Sequence, residues 1–190
     1  MLNSYAPPEA TIPYPARMLD FASLAAQPRA EGWLSLSSKL RDARAVIDKL
    51  HQKGSSKVLF PRTTGPHMTG VLLNTAGGVT GGDRFHVSAE AGADTHLILT
   101  TQAAERAYRA QPGETGRLNN SVTVAAGARV DWLPQETILY DGADLNRRLS
   151  LNIAASSKVL VVEPVIFGRI AMKETVNALR FEDRVDLTRD

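Results

Sequence analysis

The 190-residue chain contains no cysteine. That excludes disulfides, thiolate metal sites and a cysteine nucleophile, and it suits a reducing compartment, so the expected location is the cytoplasm. Charge of one sign is also missing. Twenty-two Lys and Arg stand against 20 Asp and Glu, a net of +2, so bulk electrostatics point to neither nucleic acid nor a membrane surface. Aromatic residues are sparse at 6%, with Trp33 and Trp132 the only tryptophans, which argues against the stacking platforms of a carbohydrate-binding module. Residues 1–30 hold Pro7, Pro8, Pro13, Pro15 and Pro28 but no cationic start followed by an apolar core. They read as a mobile arm, neither a secretory signal nor a membrane span. The remainder, 31–190, has ordinary globular composition and is expected to form one domain.

What the chain does have is strand signal. From Ser55 onward, short runs such as Lys57-Val58-Leu59-Phe60, His96-Leu97-Ile98-Leu99, Val122-Thr123-Val124 and Val159-Leu160-Val161-Val162 are separated mostly by Gly, Asp, Asn or Pro. Within them lies a repeat. Val87-Ser88-Ala89-Glu90-Ala91-Gly92 aligns with Val122-Thr123-Val124-Ala125-Ala126-Gly127 and with Leu151-Asn152-Ile153-Ala154-Ala155-Ser156, and each copy leads into a second, more apolar strand. With Ala91, Ala126 and Ala155 aligned, the unit recurs after 35 and then 29 residues. Such spacing predicts a mainly β fold, a helical β-sandwich or β-helix-like stack of short strand-turn-strand rungs in which each rung buries its neighbour's face. One or two short helices are expected with it. Leu36, Leu40, Ala43, Ile47 and Leu50 have helical spacing, but Trp33-Leu34-Ser35-Leu36-Ser37 alternates with period two and Arg41-Asp42 can turn, so strands are preferred there. Gln102 to Arg109, with Thr101 as cap and three alanines, reads as a helix.

Catalytic patterns are absent. The chain has no Gly-x-Ser-x-Gly elbow and no HExxH pair, and His51, His67, His86 and His96 are scattered, so neither a nucleophile triad nor a closed zinc site is marked. The glycine-rich stretch Gly77-Gly78-Val79-Thr80-Gly81-Gly82-Asp83 has the composition of a phosphate-cradling loop but lacks its Gly-Lys-Ser/Thr ending, its GxGxxG spacing and a following helix. Gly77, Gly78, Gly81 and Gly82 read better as a packing element that lets the backbone turn tightly between rungs. Four carboxylates stand out: Asp83, Glu136, Asp141 and Glu163. Glu163 is the most unusual, because it closes the apolar strand Val159-Leu160-Val161-Val162 and is expected to face the interior or a channel, where it needs a partner, a metal or a raised pKa. A carboxylate pair could serve a glycoside hydrolase, whereas Asp141 before Gly142 is equally a turn signal. His86 near Asp83, and His96 near Asp94, could form open nitrogen and oxygen sites for a borderline divalent ion such as nickel; the alternative is ordinary strand histidines.

Five stretches, taken in order, resemble the urease accessory protein UreD family, called UreH in some systems. They are Leu72 to Asp83 around the paired glycines, Leu99-Thr100-Thr101-Gln102-Ala103-Ala104, Ala107-Tyr108-Arg109, Trp132-Leu133-Pro134-Gln135-Glu136-Thr137-Ile138, and Gly168-Arg169. The likeness runs from about Gly32 to Asp190. Ala76 stands where the family carries proline, and family members continue past the position of Asp190, so a chain truncated at its C-terminal end is expected. The resemblance implies a non-catalytic scaffold for urease maturation, with urease apoprotein, UreF and, through UreF, the GTPase UreG as partners. It also implies no tightly bound cofactor, nickel in transit, and a polar internal passage beside which Asp83, Glu136, Asp141 and Glu163 are placed, with His86 as a further candidate ligand.

Overall fold

The computed structural model describes residues 27–190. Most of the expected arm at 1–30 therefore lies outside the described residues. The chain winds as a β-solenoid of about four turns, and its strands sort into three sheets. The six-stranded sheet carries the long strands β1 (Glu31–Arg41), β2 (Arg44–Gly54), β5 (Arg84–Ala91), β8 (Gly116–Val124), β11 (Asp144–Ile153) and β14 (Arg180–Arg189). The five-stranded sheet holds β3 (Ser56–Leu59), β4 (Met68–Asn74), β6 (His96–Thr101), β9 (Arg129–Leu133) and β12 (Lys158–Val161). On the third side lie β7 (Glu105–Ala107), β10 (Thr137–Leu139) and β13 (Val165–Phe167). One rung thus reads long strand, apolar strand, short strand, as in β5–β6–β7, and each pairs in parallel with the same strand of the next rung.

Alternation explains the long strands. In β11 the buried residues Leu145, Leu149, Leu151 and Ile153 share the inward phase, and the intervening Asn146, Arg148, Ser150 and Asn152 point out. Two apolar clusters result. The larger, including Leu36, Leu97, Val130 and Leu151, lies between the six- and five-stranded sheets; the smaller, including Val79, Ala107, Leu139 and Leu145, lies between the six- and three-stranded sheets.

At 36–50 the strand reading holds. β1 and β2 form an antiparallel hairpin whose turn residues Asp42 and Ala43 both have positive φ, 50° and 59°. These are the angles of the tight turn whose twist matches paired strands. Of the residues with helical spacing, Leu36 is buried while Leu40, Ile47 and Leu50 are exposed, so no common buried stripe exists.

Two expectations are corrected. Gln102 to Arg109 forms no helix. Its backbone is committed to neighbouring rungs: Glu105 N–H donates to Glu136 O, Val79 N–H to Arg106 O and Tyr108 N–H to Val79 O. Thr101 Oγ1 accepts from Gln135 N–H instead of capping a helix. Among the described residues the helical content is one 3-10 turn, Ile170–Met172, and no helix is long and apolar enough to cross a membrane. The repeat register also differs. Ala89, not Val87, sits opposite Val122, an offset of 33 in place of 35, whereas the pairing of Val122 with Leu151 is the expected 29. The sequence alignment matched Gly92 to Gly127, but the left-handed position of the first turn belongs to Asp94 (φ 58°), the counterpart of Gly127 (φ 70°). Aspartate tolerates that region well enough to replace glycine. Because the error is two residues, every side chain keeps its face.

Ala43 is the strained member of the hairpin turn, since alanine lacks the local hydrogen bonding that helps Asp42. Replacing Ala43 by Gly should raise stability by about 1 kcal/mol in chemical denaturation. An unchanged or lower midpoint would show that the turn carries no such strain.

Candidate functional site

Between the two apolar clusters the solenoid interior carries a group of polar side chains set among apolar ones such as Leu72, Phe85 and Leu118. The five-stranded sheet ends and the third side begins at one corner of each rung, and there the chain presents Asn74, Glu105, Thr137 and Glu163. From the six-stranded sheet, Asn120 of β8 and Arg147 of β11 face them. Together these six residues help line a cavity of about 180 Å³ that reaches the surface past the exposed Gln102, Ala103 and Gln135.

Arg147 organises one side of it. Its side chain is 4% exposed. It donates from Nε and Nη2 to Asp183 Oδ1 and Oδ2 at 2.9 and 2.5 Å, and from Nη1 to Thr137 Oγ1 at 3.1 Å, with the Phe181 ring beneath it. This fork-to-fork geometry is the strong form of a charge pair. Burial opposes the charge, but the hydrogen bond to Asp183 and the negative fields of Glu163 and Asp183 outweigh it and push the guanidinium pKa above its ordinary value. In-register stacking makes the pair possible, because Arg147 of β11 lies directly beside Asp183 of β14.

Glu163 faces the interior, as its place after an apolar strand predicts, and its side chain is 8% exposed. Oε1 accepts from Trp132 Nε1 at 2.9 Å, while Oε2 lies 4.0 Å from Arg147 Nε, beyond hydrogen-bond length. Across the cavity, both oxygens of Glu105 receive Asn74 Nδ2, at 3.2 and 3.3 Å. Burial raises the Glu105 pKa; the Asn74 bond partly offsets this and the charge of Asp83 adds to it.

The other residues singled out in the sequence lie elsewhere. Asp83 is buried but spends its carboxylate on the backbone, accepting Ala30 N–H on Oδ1 at 2.8 Å and Thr80 N–H on Oδ2 at 2.9 Å. Asp141 accepts Asn177 and Ala178 N–H at 2.7 and 3.0 Å and pairs with Arg109. Those amides first, and Arg109 after them, hold its pKa below the ordinary carboxylate value. Glu136 is half-buried between the cavity residues Gln135 and Thr137 without lining the cavity itself. His86 packs at a tilt against Trp33, with ring centres 5.2 Å apart, and His96 binds Asp131 at 2.8 Å, not Asp94. Among the described residues, no group of three or more His, Asp or Glu is arranged to hold a metal ion. Within the glycine motif, Gly78 is the close-packed member, whereas a Cβ at Gly77 would meet nothing within 4 Å. Gly78 has φ 150°, and a Cβ there would fall 2.3 Å from Tyr108 and 2.7 Å from Arg106 O. That close approach lets Val79 bridge in parallel to Ala107 on the third side.

Arg147, Asp183, Asn120 and Glu105 went unnoticed in the sequence, though three carried a signal. Each is a polar residue in the inward phase of a strand, as in Leu145-x-Arg147-x-Leu149-x-Leu151 and Leu118-x-Asn120-x-Val122. Glu105 was concealed by the helical reading of its segment.

The chain matches known proteins over this whole region. The model of the UreD urease accessory protein family matches residues 30–190. A urease accessory protein UreD from Ruegeria pomeroyi is 56% identical over 156 residues, 82% of this chain and 61% of its own length. One from Roseobacter denitrificans is 51% identical over 164 residues, 86% of this chain and 60% of its own, and one from Rhizobium leguminosarum bv. viciae is 50% identical over 82% and 57%. The chain spans about three-fifths of the length of these curated relatives.

Glu105 makes a testable contribution to stability. Its pKa is raised in the folded protein, so the folded state holds the proton more tightly, and stability falls as pH rises from its ordinary 4.5 through the folded value. Glu105→Gln keeps an acceptor for Asn74 and removes the ionisation. It should therefore melt above the parent protein at pH 7, with the gap closing below pH 4.5; a gap independent of pH would rule out this origin.

Proposed function

Because the chain belongs to the UreD family of urease accessory proteins, we propose that it works in urease maturation as a non-catalytic cytoplasmic scaffold. It binds urease apoprotein and UreF, which recruits the GTPase UreG, and it lets nickel pass through its interior towards the urease active site. The observation that carries the nickel part is the polar layer. The cavity, which opens to the surface past Gln102, Ala103 and Gln135, holds two carboxylates, Glu105 and Glu163, yet no complete ligand set among the described residues. Nickel binds oxygen and nitrogen donors, and a site with too few of them releases the ion readily. Nickel is cargo here, with no cofactor held in place. Of the carboxylates named from sequence, Glu163 is the ligand on this route and Glu136 flanks its wall. Asp83, Asp141 and His86 serve the frame around it.

The glycoside hydrolase reading is withdrawn. The family match speaks for an accessory protein, and of Asp83, Glu136, Asp141 and Glu163 only Glu163 lines the cavity. Acid and nucleophile or base must face one substrate from two sides, which no pair of these four does.

In the full-length protein, Glu163→Ala should lower urease activation several-fold while leaving co-purification with urease apoprotein and UreF intact. Normal activation removes Glu163 from the route. Failure of the parent protein to co-purify with urease apoprotein and UreF in reducing buffer would sink the scaffold assignment itself.

A further inference from the structure

We infer that Arg147 is a positioning residue that keeps the passage from becoming a trap: its guanidinium occupies, as a tethered cation, the point where Glu163, Asp183 and Thr137 would otherwise close on a divalent ion. The inference rests on the nickel-passage reading above. All three side chains converge on one group. Asp183 is bound by Nε and Nη2 at 2.9 and 2.5 Å, Thr137 by Nη1 at 3.1 Å, and Glu163 Oε2 stands 4.0 Å from Nε. The two carboxylates are anionic oxygen donors able to hold a divalent ion, and the Thr137 hydroxyl is a weaker, neutral one. With Arg147 present the two carboxylates and the guanidinium sum to one negative charge; without it they sum to two, the complement of a divalent cation.

Three features suit Arg147 to this task. The guanidinium stays charged at any physiological pH, so the site cannot open by deprotonation. It is 4% exposed and held by two hydrogen bonds to Asp183 and a third to Thr137, so it does not swing away. Finally, its attraction for Glu163 is left incomplete at 4.0 Å, so one carboxylate oxygen in the cavity remains available to an ion in transit. A single such oxygen gives contact without capture.

Nickel chloride binding to the full-length protein tests this by equilibrium dialysis and by metal content after desalting. The parent protein should lose nickel on desalting. Arg147→Met should retain about one ion per chain with a Kd lowered at least about ten-fold, the scale set by removing a unit charge at this distance. Arg147→Met with Asp183→Leu, which deletes the second carboxylate along with the cation, should return to the parent affinity. Nickel should raise the melting temperature of Arg147→Met and not that of the double variant. Arg147→Gln keeps a hydrogen bond to Asp183 without the charge and covers the case in which the Met variant does not fold; it too should bind more tightly than the parent. Parent-like affinity in the folded single variants, or equally tight binding in the double variant, overturns the role of Arg147. Normal urease activation by Glu163→Ala would instead remove the passage reading, whatever these affinities are.

Discussion

Parallel, in-register pairing along the six-stranded sheet is the constraint on which the rest of the molecule depends. Once β5, β8, β11 and β14 stack with their inward phases aligned, each inward position becomes a column running through the solenoid. Val122 sits over Leu151 and Leu151 over Leu187, and the column is apolar. Leu118 sits over Arg147 and Arg147 over Asp183, and it turns ionic. The Arg147 charge brought inward by β11 is shut off from water, and the partly exposed Asp183 of β14 answers it from the next rung. The register of β14 on β11 is thus an electrostatic matter as well as an apolar one.

The corner between the five-stranded and three-stranded sheets is the natural place for the polar layer. There each rung changes direction, the strands stop, and the two apolar clusters part. Glu105 and Glu163 occupy the same corner in different rungs, yet their surroundings differ. Burial raises the Glu105 pKa more than the Asn74 amide and the Arg106 backbone and charge lower it, so its protonated form is favoured. Glu163 has the Trp132 indole on one oxygen and the field of Arg147 on the other. Two carboxylates of the same solenoid corner are thus set to different electrostatic roles by their neighbours.

Acidic residues that look alike in sequence divide sharply in space. Asp83 and Asp141 each follow or precede glycine, and both use their oxygens to tie down backbone amides, the ordinary work of aspartate in turns. Glu163 follows an apolar strand and is buried. Its strand context was informative because a carboxylate in phase with a core must find a partner there. The glycine motif was similarly readable as packing, since no phosphate-loop geometry accompanied it, and Gly78 does lie against Tyr108.

From the sequence alone follow the β class, the rung-like repeat, the preference for strands at 36–50, the family and the inward carboxylate Glu163. All of these rest on local alternation, turn chemistry and motif order, which are written along one stretch of chain. The register of the first rung pair was misjudged by two residues, because Asp94 fills a left-handed turn position that a search for glycine overlooks. The strand at Glu105–Ala107 was hidden as well, since its hydrogen bonds go to Val79, Glu136 and Tyr140 in other rungs and local propensity favours helix. Only the tertiary structure decided that Arg147, Asp183, Thr137 and Glu163 meet. They come from β10, β11, β14 and the loop after β12, and the distance between them is set by how rungs stack, a quantity that no local pattern encodes.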